Sequence, residues 1–228
     1  MSGPPRGLIV AIDGPSGAGK STAGRALADR LGYVFIDTGA MYRALALKAL
    51  RSGVALDRGE DLATLARCTR IELVDGGRRV VLDGADVSPE IRSEQVSAAS
   101  SRVSRHPEVR RELVALQREL GRDGAVVLDG RDIGTAVFPE AEAKFYVDAD
   151  AAHRAARRRE ELATAGAVAD PAAVERDIRA RDHADSTRRD SPLTRAPDAV
   201  YLDTTELSPA QVVETMLGVI EERMARKG

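Results

Sequence analysis

The sequence predicts an α/β fold in which a five-stranded parallel sheet carries helices on both faces, a three-layer arrangement. Three observations lead there. Short apolar runs recur along the chain, helical stretches separate each run from the next, and a glycine-rich loop joins the first run to the first helix. At 228 residues the chain suits one compact unit with insertions better than two independent domains.

The runs at residues 8–12, 33–36, 125–128, 144–147 and 199–202 are rich in β-branched and apolar side chains, as strands buried on both faces should be. Helices are predicted over 21–31, 40–51, 108–120, 151–163, 171–184 and 209–226. Their punctuation agrees: Gly32 closes the first, Pro107 stands near the start of the third, and Ser208-Pro209 opens the last. Residues 70–87 break the rhythm. There IELV and RVVL flank Asp75-Gly76-Gly77, a hairpin turn signal, and a small antiparallel insert is predicted. The alanine-rich stretch 164–170, which follows Arg157-Arg158-Arg159, reads as a mobile flap.

Composition excludes several classes. Apolar residues make up 43% and charged residues 31%, unlike a disordered chain. A formal charge of -2 gives no global positive field for a nucleic-acid backbone, so an anion must be met locally. Cys68, the single cysteine, has no intrachain disulfide partner, and residues 8–12 are too short an apolar stretch to be a leader or membrane span. A cytoplasmic protein without membrane or nucleic-acid partners is the expectation.

The chemistry is concentrated in a few motifs. Gly14-Pro15-Ser16-Gly17-Ala18-Gly19-Lys20-Ser21 fits the phosphate-loop pattern between a strand and a helix, with Thr22 following. Glycines let backbone N–H groups turn inward around phosphate oxygens. The helix N-terminus adds positive potential, Lys20 is expected to reach the outer phosphates, and Ser21 can ligate Mg²⁺. A nucleoside triphosphate is the expected ligand. Asp129, at the end of the strand in VVLDGRD, faces the nucleotide crevice of an open parallel sheet and is expected to hold the metal through water.

What receives the phosphate is a separate question. Arg43, Arg110, Arg131, Arg157, Arg158, Arg181 and Arg188 stand at element ends, where an acceptor that is itself a phosphate would need them. Such an acceptor is already ionised, so alignment and charge neutralisation suffice without a general base. Another monophosphate or a metabolite hydroxyl as acceptor, and a nucleotide-dependent switch or RNA-binding module, are the alternatives. Near-neutral charge and 3% aromatic residues weigh against the RNA reading.

Taken together, IDGPSGAGKST, DTGAMYRALA, ADVSPEIR, LDGRDIGT and the RD-x2-D-x2-R string from Arg181 to Arg188 resemble the bacterial cytidylate kinases across nearly the whole chain. The resemblance implies ATP-dependent phosphorylation of CMP and dCMP with Mg²⁺. It also implies a core of residues 1–62, 98–150 and 171–228, a monophosphate-binding insert over 63–97 and a lid over 151–170. By motif, Arg43, Arg131 and Arg188 would hold the acceptor phosphate. Arg181 and Asp185 would contact the ribose with Tyr42 nearby, and Thr38 would lie near the nucleotide. Ser101, Arg110 and Asp132 would read cytosine: a carboxylate accepts from its amino group, whereas uracil would face Asp132 with an unpaired acceptor. Arg157 and Arg158 are the favoured lid arginines. Asp132→Ala is expected to lower activity with little loss of stability. A monomer is expected, with lid and insert closing over both nucleotides to keep water from the donor.

Overall fold

The computed structural model of the chain describes residues 7–164 and 170–225. Five parallel strands, β1 (Ile9–Asp13), β2 (Val34–Asp37), β6 (Val126–Gly130), β7 (Ala143–Asp148) and β8 (Val200–Asp203), form one sheet in the order β2-β6-β1-β7-β8. Each begins one residue from its predicted start. The chain leaves β1 for β2 on one side of it and later crosses back past β1 from β6 to β7, and this reversal opens a crevice at the carboxyl ends of the central strands.

Alternation along the strands divides the core. Ile9 and Ala11 of β1, with Ile36, Val126 and Leu128, pack against α2 (Thr38–Arg51) and α5 (Pro107–Gly121). Val10 and Ile12, with Phe35, Val127, Phe145 and Val147, face α1 (Lys20–Leu31) and α8 (Pro209–Ala225). Gly32 ends α1 in the left-handed conformation at φ 68°, as its sequence position required. Asp37 caps α2 by accepting from the Ala40 N–H at 2.7 Å, so this helix starts at Thr38, two residues earlier than periodicity suggested.

The insert contains β3 (Ile71–Val74), β4 (Arg79–Leu82) and a third short strand, β5 (Ala85–Asp86), all antiparallel. Asp75, Gly76 and Gly77 all take positive φ in the hairpin turn. That turn is tied to the core: Arg25 donates to the Gly77 carbonyl at 3.0 Å, and Arg78 makes a two-oxygen bridge to Asp29 at 2.8 and 2.9 Å. Two helices that were not predicted flank the strands, α3 (Gly59–Arg67) and α4 (Glu94–Val103).

Beyond β7, α6 (Ala151–Thr164) and α7 (Pro171–Thr187) pack together through Ala155, Leu162, Val174 and Ile178. Most of the predicted flap, residues 165–169, lies outside the described residues. None of the described helices is long and apolar enough to cross a membrane.

Candidate active site

The parallel registers bring Asp37 level with Asp129, and Asp13 level with Gly130, at the carboxyl edge of the sheet. A cleft of about 230 Å³ opens there. Ser16, Gly17, Lys20 and Ser21 of the phosphate loop line it, together with Thr38, Tyr42, Arg43, Ser101, Arg110, Asp129, Arg131, Asp132, Arg181, Asp185 and Arg188. Some of these residues lie much farther apart in sequence than any local motif spans, and the sheet collects them.

The loop has the backbone that its glycines allow. Gly14, Gly17 and Gly19 all have positive φ, and a Cβ on Gly14 would overlap the Val147 carbonyl. Pro15, Ala18 and Thr22 continue the same turn into α1, with Ala18 buried in the core. Lys20 folds back so that Nζ donates to the Pro15 carbonyl at 2.6 Å. Its pKa is pushed down, first by burial and then by the Arg131 guanidinium. Ser21 Oγ donates to Asp129 Oδ2 at 2.5 Å, and Thr38 Oγ1 donates to the Asp129 carbonyl at 2.6 Å. Burial, then the neighbouring Asp37 carboxylate, raises the Asp129 pKa.

Asp13 was not among the residues singled out from sequence. It is buried at the end of β1 and accepts from the N–H groups of Ile133 and Gly134 at 2.7 and 2.8 Å. These belong to a π-helical turn (Ile133–Val137) directly after Asp132, so Asp13 fixes the backbone that aims Arg131 and Asp132 into the cleft. Burial raises its pKa from 3.8 to about 6, against the two backbone hydrogen bonds that lower it. A carboxyl with a raised folded-state pKa gives its full stabilisation below its unfolded value and loses it as pH rises through the folded value. The stability difference between wild type and Asp13→Asn is therefore expected to shrink by about 2 kcal/mol between pH 4 and pH 7, read by urea denaturation at several pH values. A difference that stays constant across that interval contradicts this account of Asp13.

Farther along the cleft, Arg110 NH2 donates to Asp132 Oδ2 at 2.5 Å, and the Arg188 guanidinium lies 3.4 Å from Asp132 Oδ1. The side chains of Arg110, Asp132 and Arg188 are 3%, 8% and 8% exposed. Removing one member of such a group strands buried charge, which makes Asp132 far more important to stability than the sequence suggested. The Arg110 guanidinium also lies 5.8 Å over the Tyr42 ring. Burial pushes the Tyr42 phenol up to about 12, and its hydroxyl is buried without a protein partner. Ser97, Ser100 and Ser101 on one face of α4, with Ser104 at its C-terminal cap, line the cleft; of these only Ser101 was anticipated.

Several cleft arginines are held by carboxylates. Arg43 meets Asp37 at 3.0 Å and Arg131 meets Asp185 at 2.8 Å. Burial and the nearby Arg158 lower the pKa of Arg181, so an anion placed beside it would be strongly attracted. Arg157 and Arg158 do not line the cleft. Arg157 instead donates to the Thr204 carbonyl at 2.6 Å beside the phosphate loop. The neighbouring Arg154, to which no specific role was given, is buried and donates to the Ser16 carbonyl at 3.0 Å and to Asp182 at 2.6 Å, linking the phosphate loop to α7.

A family model described as cytidylate kinase matches residues 10–222. The cytidylate kinase of Symbiobacterium thermophilum is 51% identical over 215 residues, which cover 93% of this chain and 95% of that protein. That of Syntrophotalea carbinolica is 51% identical over 220 residues, covering 96% and 94% respectively. Among solved structures, an uncharacterized protein from Eubacterium ventriosum aligns with a TM-score of 0.52 over 94% of this chain and 98% of its own; at 10% identity that likeness concerns the fold alone. A phosphate-loop fold with its basic cleft, and half-identical relatives over nearly the full length, lead to one conclusion: the chain is a kinase and belongs to the cytidylate kinase family.

Proposed function

We propose that this enzyme transfers the terminal phosphoryl group of ATP to the phosphate of CMP or dCMP, giving CDP or dCDP. The observation that carries the reading is the buried Arg110–Asp132 pair, in the same cleft as the phosphate loop and beside Ser101. In that reading Asp132 accepts from the cytosine amino group, while Arg110 and Ser101 satisfy the ring acceptors. Arg181, Asp185 and Tyr42 take the ribose, and Arg43, Arg131 and Arg188 take the acceptor phosphate. The amides of residues 14–22 and Lys20 hold the donor phosphates.

An oxygen of the acceptor phosphate forms the new bond to the donor's terminal phosphorus as the bond to the bridging oxygen breaks, and ADP carries away that electron pair. No residue has to remove a proton, because the acceptor oxygen is already ionised. Lys20 and the arginines offset the charge of two anions brought together. The carboxylates paired with Arg43 and Arg131 keep these side chains extended toward the cleft before substrate arrives.

Ser21 and Asp129 fit Mg²⁺: one hydroxyl and one carboxylate suit an ion that keeps several waters and takes its other ligands from phosphates. A cation there would also relieve the repulsion between Asp37 and Asp129. When bound, Mg²⁺ neutralises charge on the donor phosphate oxygens. Residues 63–97 would serve as the monophosphate-binding insert and 151–170 as a lid that brings Arg157 and Arg158 to the transferring phosphate. The enzyme would act in the cytoplasm as a monomer on small molecules, with no nucleic-acid or membrane partner. ADP release measured against a panel of ribo- and deoxyribo-monophosphates is expected to favour CMP and dCMP over UMP and AMP by at least about 100-fold in kcat/KM. Equal rates on all of them would overturn the proposal.

A further inference from the structure

Asp190 lies just after α7, outside every motif discussed above. Its carboxylate accepts from Arg110 Nε at 3.2 Å, while Arg110 NH2 is committed to Asp132. Asp190 is 45% exposed, whereas the arginine it touches is 3% exposed, so it reaches a buried guanidinium from the solvent side. The surrounding loop is stitched in place. Arg188 Nε donates to the Ser191 carbonyl at 2.6 Å, Ser191 takes a positive φ of 46°, and the Leu193 N–H donates to the Asp185 carbonyl at 2.8 Å.

Charge explains what such a residue does. Two guanidiniums, Arg110 and Arg188, converge on the single carboxylate of Asp132. With no second anion, both would draw on Asp132, whose oxygens must also face the substrate. We infer that Asp190 is a specificity-determining positioning residue: by holding Arg110 at Nε it fixes the guanidinium plane and shares its charge, leaving Asp132 available to the amino group of the base. The inference rests on the reading of Arg110 and Asp132 as the base-recognising pair. With Nε and one terminal nitrogen engaged, the other terminal nitrogen is the donor left for a ring acceptor, and its direction is then set. The loop also ties this device to α7, whose Asp185 holds Arg131. Base recognition and phosphate binding thus share one short segment.

The test compares Asp190→Asn, Asp190→Glu and Asp132→Asn with wild type, measuring kcat and KM for CMP, UMP and ATP along with thermal unfolding. Asp190→Asn is expected to raise the KM for CMP about tenfold and to lower the CMP-to-UMP preference about tenfold, as loss of one charge-assisted hydrogen bond implies. KM for ATP should stay within about twofold, and Asp190→Glu should recover part of the preference. Wild-type values for CMP and UMP in Asp190→Asn, with Asp132→Asn having lost the preference, would overturn this inference alone. An unchanged preference in Asp132→Asn would overturn the base-recognition reading and this inference with it. Equal losses for CMP and ATP, accompanied by a lowered melting temperature, would reduce Asp190 to a general structural role and overturn the inference as well.

Discussion

Lys20→Met is expected to lower kcat about a thousandfold while the protein remains folded. Methionine nearly preserves the volume of a side chain that is 6% exposed, so the change removes a charge and leaves no large cavity. What is lost is a cation fixed beside the phosphate loop, in a site where burial and Arg131 already disfavour its charge. A bound triphosphate supplies the missing anion, and the interaction strengthens as charge moves toward the leaving oxygen. Removal of a single preorganised donor of this kind costs about 100- to 1,000-fold. The lowered pKa has a further consequence. In the free enzyme Lys20 loses its proton at lower pH than an ordinary lysine, so kcat/KM for ATP should fall as pH rises through that region. At saturating ATP the phosphates hold the proton in place, and kcat should lack this alkaline limb. Steady-state kinetics across pH for wild type and Lys20→Met check both statements; an activity loss below about tenfold would contradict the role given to Lys20.

Asp132→Asn should lose both base preference and stability. An asparagine amide presents either an oxygen or an NH₂ group, so it can pair with cytosine or with uracil. The CMP-to-UMP ratio of kcat/KM is expected to fall about 100-fold, the scale on which buried unpaired polar groups reject an analogue. The same change leaves Arg110 and Arg188 facing a neutral group, with the half-exposed Asp190 beside Arg110 and Asp185 near Arg188 to balance them in part. A loss on the order of 3 kcal/mol in urea denaturation is expected. Unaltered stability would mean that water, not Asp132, satisfies these guanidiniums.

Much of this was legible in the chain because the signals were local. Apolar runs marked the five parallel strands, though the edge strands β2 and β8 are only partly buried, and glycines with required positive φ marked the phosphate loop, the end of α1 and the hairpin turn. The helices α3 and α4 gave weaker signals. Arg58 makes no side-chain cap for α3, which has nine residues, and α4 reads EQVSAASSRV, a serine-rich string that resembles a loop until Val96, Ala99 and Val103 are seen buried along one face. The cleft arginines were nameable by motif, as were Asp132 and Asp185, but which carboxylate holds which arginine was not. Asp185 finds Arg131 across 54 residues and Asp190 finds Arg110 across 80, pairings that only the folded chain reveals. Asp13 stayed hidden for a different reason: an aspartate before the phosphate loop looks like part of a turn, and its N–H donors lie 120 and 121 residues away.

Arg154 shows the same limit from the other side. Four arginines, Arg154, Arg157, Arg158 and Arg159, crowd one helix, and the sequence favours Arg157 and Arg158 while giving Arg154 no role. In the fold, Arg154 is buried against the phosphate loop, while Arg157 reaches Thr204 and Arg158 approaches Arg181. Arg157 and Arg158 lie about one turn beyond Arg154 on the same side of α6, so position along the helix, nearer to or farther from the phosphate loop, separates these environments.

The central claim is that two anionic nucleotides meet end to end in this cleft and exchange one phosphoryl group. Incubation of the purified enzyme with CMP and ATP labelled at the terminal phosphate addresses it directly. The account predicts that label appears in CDP at the rate ADP is formed, and that omitting CMP stops nearly all ATP consumption. Label released as inorganic phosphate with CMP left unchanged would contradict it.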